Sequence, residues 1–147
     1  MSRARILCFG ELLLRLGAPG HELLLQQPRL EVHCGGAEAN VGVSLAHFGH
    51  DVAMVSTVAD NPLGAAVLGE LRRHAVDTRH VRRVDGRVGL YFLTTGAIHR
   101  ASEVVYDRAD SAFALAPADA YDWPRLLDGA QWLHLSGVSP SLGADVA

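Results

Sequence analysis

The sequence predicts an α/β fold: a mainly parallel sheet wrapped by helices, with a small separate sheet beside it. Three observations point there. Apolar runs of strand length alternate with stretches of helical period, the pattern of strand–helix–strand crossovers. The runs at 6–9 and 52–58 are continuously apolar, as strands covered on both faces are. Segments near 12–34 and 88–107 break the alternation with extra short strands, which need a sheet of their own.

Taken in order, 6–9 reads as a buried strand that Gly10-Glu11 ends. The run 12–16 suits strand or helix equally. Ala18-Pro19-Gly20 breaks the chain and Leu23-Leu24-Leu25 resumes it. Leu30, Val32 and Cys34 alternate with Glu31 and His33, the period of a half-exposed strand. From 36 to 48 the period becomes helical. Ala37, Val41, Leu45 and Phe48 form one face, and Val43 and Ala46 make the other side apolar, so this helix is expected to be largely buried. Gly49 suits its left-handed stop. After the 52–58 strand, Asp60-Asn61-Pro62 offers a cap followed by proline in the first turn, with Leu63, Val67 and Leu71 as the inner stripe. Strands follow at 80–84, 88–95 and 103–107, with Asp85-Gly86 as a turn. The stretch 110–122 is loop-like, 123–127 a short helix, and 131–135 a last strand. Ser139-Pro140-Ser141 starts a helix that only six residues could continue. The chain is therefore expected to be the front part of something longer.

Composition excludes several functions. The 147 residues carry 13 basic and 16 acidic side chains, a net charge of −3, so no nucleic-acid or anionic-membrane surface is expected. No apolar run approaches the roughly 18–20 residues of a membrane span, and the first apolar stretch is too short for a signal peptide. Every basic residue is arginine. The missing lysine rules out a P-loop GK[ST], a Schiff-base lysine and the strand lysine of a protein kinase. Cys8 and Cys34 have no metal-ligand spacing and are read as buried thiols, which fits a reducing cytoplasm. His33, His47, His50, His99 and His134 show no metal spacing either, so no metal site is expected.

The densest chemical signal is Gly35-Gly36-Ala37-Glu38-Ala39-Asn40. Two glycines after a strand let backbone approach a ligand, and the following helix start presents free N–H groups. Asn40 adds an amide that donates and accepts. A site for a polyhydroxylated or anionic small molecule is one reading, and a tight turn with a capped helix is the other. A dinucleotide site would need G-x-G-x-x-G after the first strand, where only Gly10 stands.

The segment from Gly35 to Val43, ending at Gly49, resembles the first signature of the ribokinase-like (PfkB) carbohydrate kinases, and the resemblance runs the whole chain. Cys8-Phe9-Gly10-Glu11 is similar to the family's first strand and its acidic residue. Gly89-Leu90-Tyr91, Tyr106-Asp107-Arg108 and Leu133-His134-Leu135-Ser136-Gly137 look like 2-keto-3-deoxygluconate kinases in particular. Ala59, where glycine is usual, and Asp107, where a second tyrosine is common, depart from the pattern.

The resemblance implies a doubly wound, mainly parallel sheet with helices on both faces, present here as its first half, and a small β-sheet lid drawn roughly from 12–34 and 88–108. The carboxy-terminal half, with the catalytic base and ATP pocket, is expected to lie outside these residues. It implies a substrate site of Gly35, Gly36, Asn40, Tyr91, Tyr106, Arg108 and Glu11, with no catalytic residue in this chain. Arg108 would meet the carboxylate of a sugar acid, or pair with Asp107 or Asp110 on the surface. Tyr91 and Tyr106 would reach the sugar from the lid, or serve as cross-strand partners. Glu11 would bind hydroxyls, or act as a structural acceptor. ATP and Mg²⁺ are implied for the complete enzyme, with neither fully bound by these residues. A small sugar acid is the expected partner, and self-association through lid strands or an exposed sheet edge is expected. A fructokinase- or ribokinase-type specificity and a non-catalytic sugar-binding or assembly module stay open.

Overall fold

The computed structural model describes residues 5–140. A central four-stranded sheet has the order β5-β4-β1-β8, built from β1 (Arg5–Phe9), β4 (Asp51–Ala59), β5 (Asp77–Val84) and β8 (Trp132–His134). All its pairings are parallel. β4 is buried from Val52 to Ala59, as its unbroken apolar run requires. β5 forms one edge and alternates buried Thr78 and Val81 with exposed Arg79 and Arg83. Charged edge positions discourage pairing with foreign strands.

Helices α1 (Ala37–His47) and α2 (Pro62–Arg73) cover one face of this sheet. Ile6, Cys8, Val52 and Met54 pack there against Ala39, Val67 and Leu71. The other face is covered more thinly, by a 3-10 turn at Ala118–Ala120 and by α3 (Trp123–Leu127). Leu7, Ala53 and Val55 meet Phe9, Tyr121, Trp123 and Leu126 on that side. Phe9 lies edge-on to Tyr121 and Trp123, with ring centroids 5.2 and 5.0 Å away.

The strands outside the alternation form a second sheet of order β3-β2-β6-β7: β3 (Glu31–Gly35), β2 (Leu13–Gly17), β6 (Gly89–Thr94) and β7 (Glu103–Asp107). The 12–16 run, ambiguous by sequence, is strand because it fills the gap between β3 and β6. One end of this sheet, through Leu14, Cys34 and Leu90, rests on the α1–α2 core.

Three expectations need correction. α1 buries only Glu38, Ala39 and Gly42, and Phe48 is 80% exposed, because no element covers the helix's outer side. The inner stripe of α2 is Gly64, Val67, Leu68 and Leu71, while Leu63 points outward. The stretch resumed at Leu23-Leu24-Leu25 carries no strand, and Leu24 and Leu25 lie in a turn with Leu25 at φ 61 and exposed. Cys34 is only partly buried. The helix start read at Ser139-Pro140-Ser141 extends into 141–147, outside the described residues.

Candidate functional site

β1 runs in the sheet interior and leaves it at its carboxyl end through Gly10-Glu11. Open α/β sheets bind ligands at that end, most readily where the strand order reverses. Here the chain winds from β1 toward β4 and β5, then returns to place β8 on the opposite side of β1. The reversal therefore lies between β1 and β8.

Glu11 is 2% exposed. A carboxylate so far from water needs compensation. Arg108, in the segment just after β7, supplies most of it: its Nε donates to Glu11 Oε2 at 2.8 Å and its Nη2 to the same oxygen. Ser111 Oγ donates to Oε1 at 2.5 Å. Gly89 lies against that oxygen, and a side chain there would overlap it. One buried charge thus joins the end of the parallel sheet to the second sheet.

The predicted residues Tyr91 and Tyr106 pair directly across β6 and β7, with ring centroids 5.9 Å apart. The Arg108 guanidinium lies 6.0 Å from the Tyr106 ring centre, within cation–π range. The Tyr91 hydroxyl comes within 3.7 Å of where a Gly35 side chain would begin. Gly35, Tyr91, Tyr106, Arg108 and Glu11 therefore form one contiguous set. Gly36, at φ 149, is buried where the start of α1 crosses the Glu11 carbonyl, and a Cβ there would collide with that oxygen. The glycine pair thus serves a close backbone crossing.

Asn40 stands apart from these contacts. It is exposed on a groove of about 310 Å³ between α1 and α2, lined also by Cys34, Gly35, Glu70 and His74. The surface pairing weighed for Arg108 falls instead to Arg87, which holds Asp107 at 2.8 Å.

By sequence, Glu38 is only one residue of the Gly35–Asn40 segment. It is 1% exposed in the first turn of α1. Its Oε1 accepts from Ser136 Oγ at 2.5 Å, Ser136 N at 3.2 Å and Ser139 Oγ at 3.5 Å. Its other oxygen occupies the space a side chain at Gly10 would take. Glu38 thus spans the β1–β8 reversal from helix start to post-strand turn. Burial first, and the Glu38 charge second, push the Cys8 thiol up to about 11. The available clue was a glutamate flanked by alanines on a helix's inward side. Its partners lie about 100 residues away in sequence.

Among the described residues, no group of three or more histidine, cysteine, aspartate or glutamate side chains could hold a metal ion.

Residues 3–147 match the family model described as pfkB family carbohydrate kinase. The chain is 36% identical over 141 residues to 2-dehydro-3-deoxygalactonokinase of Haloferax volcanii, covering 95% of this chain and 43% of that protein. The crystal structure of 2-dehydro-3-deoxygluconokinase from Thermotoga maritima superposes with a TM-score of 0.94 at 45% identity, covering 98% of this chain and 44% of that one. A sugar kinase from Pyrococcus horikoshii in complex with ATP superposes with a TM-score of 0.73 at 26% identity, over 82% of this chain and 39% of that one. The chain spans less than half the length of these relatives.

Proposed function

The chain belongs to the pfkB family of carbohydrate kinases, and from that premise we propose that its residues form the acceptor-gripping portion of an enzyme that phosphorylates a 2-keto-3-deoxy sugar acid with ATP. One observation carries the reading: the tyrosine pair, the Arg108 guanidinium and the Gly35 corner are drawn to one place by the buried Glu11. The names borne by the Haloferax and Thermotoga relatives support the substrate class.

In this reading the second sheet is the lid. Tyr91 and Tyr106 offer ring faces to the apolar side of a sugar and hydroxyls to its polar edge. Glu11 has both oxygens engaged by Arg108 and Ser111, so it anchors the lid rather than contacting the acceptor. The lid excludes water from the reacting hydroxyl. ATP supplies the phosphoryl group in the complete enzyme, and the base and nucleotide contacts come from residues outside this sequence. On the face that Leu14 shares, beyond its core contact, the lid carries the apolar row Val32–Leu16–Phe92–Val105, which we assign to contact with a second copy.

The full-length enzyme should release ADP in the presence of 2-keto-3-deoxygluconate or its galactonate epimer, and far less with fructose. Equal turnover of fructose would remove the sugar-acid assignment. Residues 1–147 alone should give no sugar-dependent ADP release, and a measurable rate would contradict the division of labour.

A further inference from the structure

Away from the Glu11 corner, arginines gather on the thinly covered face of the parallel sheet. Arg5 starts β1 and shares the face of Leu7, two residues on. β5 carries one extra residue between Asp77, opposite Ala53, and His80, opposite Val55. Ala53 and Val55 both belong to that face, so His80 and, by alternation, Arg82 look toward α3. Arg125 comes from α3 itself. These residues and Arg79 line a groove of about 640 Å³, which shares no residue with the Glu11–Tyr91 set.

Positive charge in the groove is only partly matched. Of its four arginines, Arg79 alone has an ion pair among the described residues, with Asp77 at 2.7 Å. Asp122 also lines the groove, but its Oδ1 accepts from the Arg125 backbone N–H. Asp51 stands opposite Arg5 in register, exposed, and no ion pair joins the two. Arg5 Nη2 donates to His80 Nε2 at 3.1 Å. The Arg82 guanidinium lies 5.8 Å from the Tyr121 ring centre, and that ring is fixed by its hydroxyl, 2.7 Å from Thr57 Oγ1.

Two nitrogen atoms carry the inference. Arg5 Nε and Arg82 Nη1 are buried and have no hydrogen-bond partner. Donors on a charged group are costly to bury unpaired. Of the three such side-chain atoms among the described residues, two belong to this one groove. An anion seated there satisfies both. Guanidinium groups converging from β1, β5 and α3 suit an acceptor with oxygens on several sides, which a phosphate offers and a single carboxylate does not. We propose that this groove binds a phosphate-bearing small molecule, its phosphate held by Arg5 and Arg82 with Arg125 at the rim, and the remainder of the ligand against Tyr121 and Leu126. Free phosphate and a phosphate ester share this chemistry.

The test is calorimetric titration of the full-length enzyme and its Arg5→Gln, Arg82→Gln and Arg125→Gln variants with inorganic phosphate and with glucose 6-phosphate, at constant ionic strength set by chloride. Binding elsewhere on the enzyme is common to all four proteins. Arg5→Gln and Arg82→Gln should each weaken phosphate binding about tenfold, and the exposed Arg125→Gln about threefold. Phosphate should raise the melting temperature of the unsubstituted enzyme and leave that of Arg82→Gln unmoved. Tighter binding of the ester than of phosphate identifies an ester as the occupant, and equal or weaker binding identifies free phosphate. Absence of any phosphate heat or melting shift in the unsubstituted enzyme would overturn the site. So would unchanged affinity in the folded variants, and Arg125→Gln decides alone if the two buried positions do not tolerate substitution. None of these outcomes depends on which sugar the enzyme phosphorylates.

Discussion

At the residue scale, two buried carboxylates dominate. Glu11 has a charged partner and Glu38 has hydroxyls and a backbone N–H. Removing one member of a buried pair strands the other charge, which typically costs about 3–5 kcal/mol. Arg108→Ala should therefore lower unfolding stability by about that much in urea titration, and Glu11→Gln in the Arg108→Ala background should restore part of it. Ser111→Ala should cost less, because Arg108 remains. A second expectation concerns Cys8, whose thiol is raised to about 11 by burial and then by Glu38. The folded state holds this proton more tightly than the unfolded chain, whose thiol titrates near 9.0. Its stabilising effect is thus complete below pH 9 and is lost as pH rises toward 11, on the order of 2–3 kcal/mol. Cys8→Ala should flatten the fall in stability over that window, and native Cys8 should resist alkylation at pH 8.

At the element scale, the two long helices end by the same device with different residues. α1 closes with Gly49 at φ 88, its N–H bonding the Ala46 carbonyl while His50 N–H bonds that of Leu45. α2 closes with Ala75 at φ 58, its N–H bonding the Arg72 carbonyl while Val76 N–H bonds that of Leu71. Both are two-bond C-terminal caps that need a left-handed residue. Alanine is strained there and glycine is not. Ala75→Gly should stabilise by about 1 kcal/mol, seen as a higher melting temperature. At the other end of α2, Asn61 accepts from Gly64 N at 3.0 Å, and Asn61→Ala should cost about 1 kcal/mol. The Gly49 stop and the Asn61 start were legible in sequence because caps are local chemistry, whereas alanine at the α2 stop gives no such signal. The depth of α1 was not. Its apolar residues on two sides suggested full burial, yet only the side facing β1 and β4 has a partner.

At the scale of the whole molecule, the second sheet is held at one strand end, where Leu14, Cys34 and Leu90 meet the α1–α2 core and Arg108 reaches Glu11. Beyond that contact, the apolar row on the same face includes Val32, 57% exposed, and Val105, 47% exposed. β8 is an edge strand with Trp132 at 69% exposure. Sedimentation should show concentration-dependent self-association. Phe92→Glu should abolish it if the lid row is the contact, and persistence in that variant would move the interface to the β8 edge.

The sequence by itself determined the strand and helix order outside the 12–16 run, the Gly49 and Asn61 caps and the existence of a second group of strands, because each follows from hydrophobic period and turn chemistry within a few neighbouring residues. It also carried the glycine corner and the tyrosines as candidates. Only tertiary structure decided what the charges do. It gave Arg108 to Glu11 across 97 residues, set Arg15 in register with Tyr91, and buried Glu38 against Ser136 and Ser139. Pairing between distant charges depends on chain crossings that no local pattern encodes, and the cost of an unpaired buried charge makes the fold commit to one arrangement.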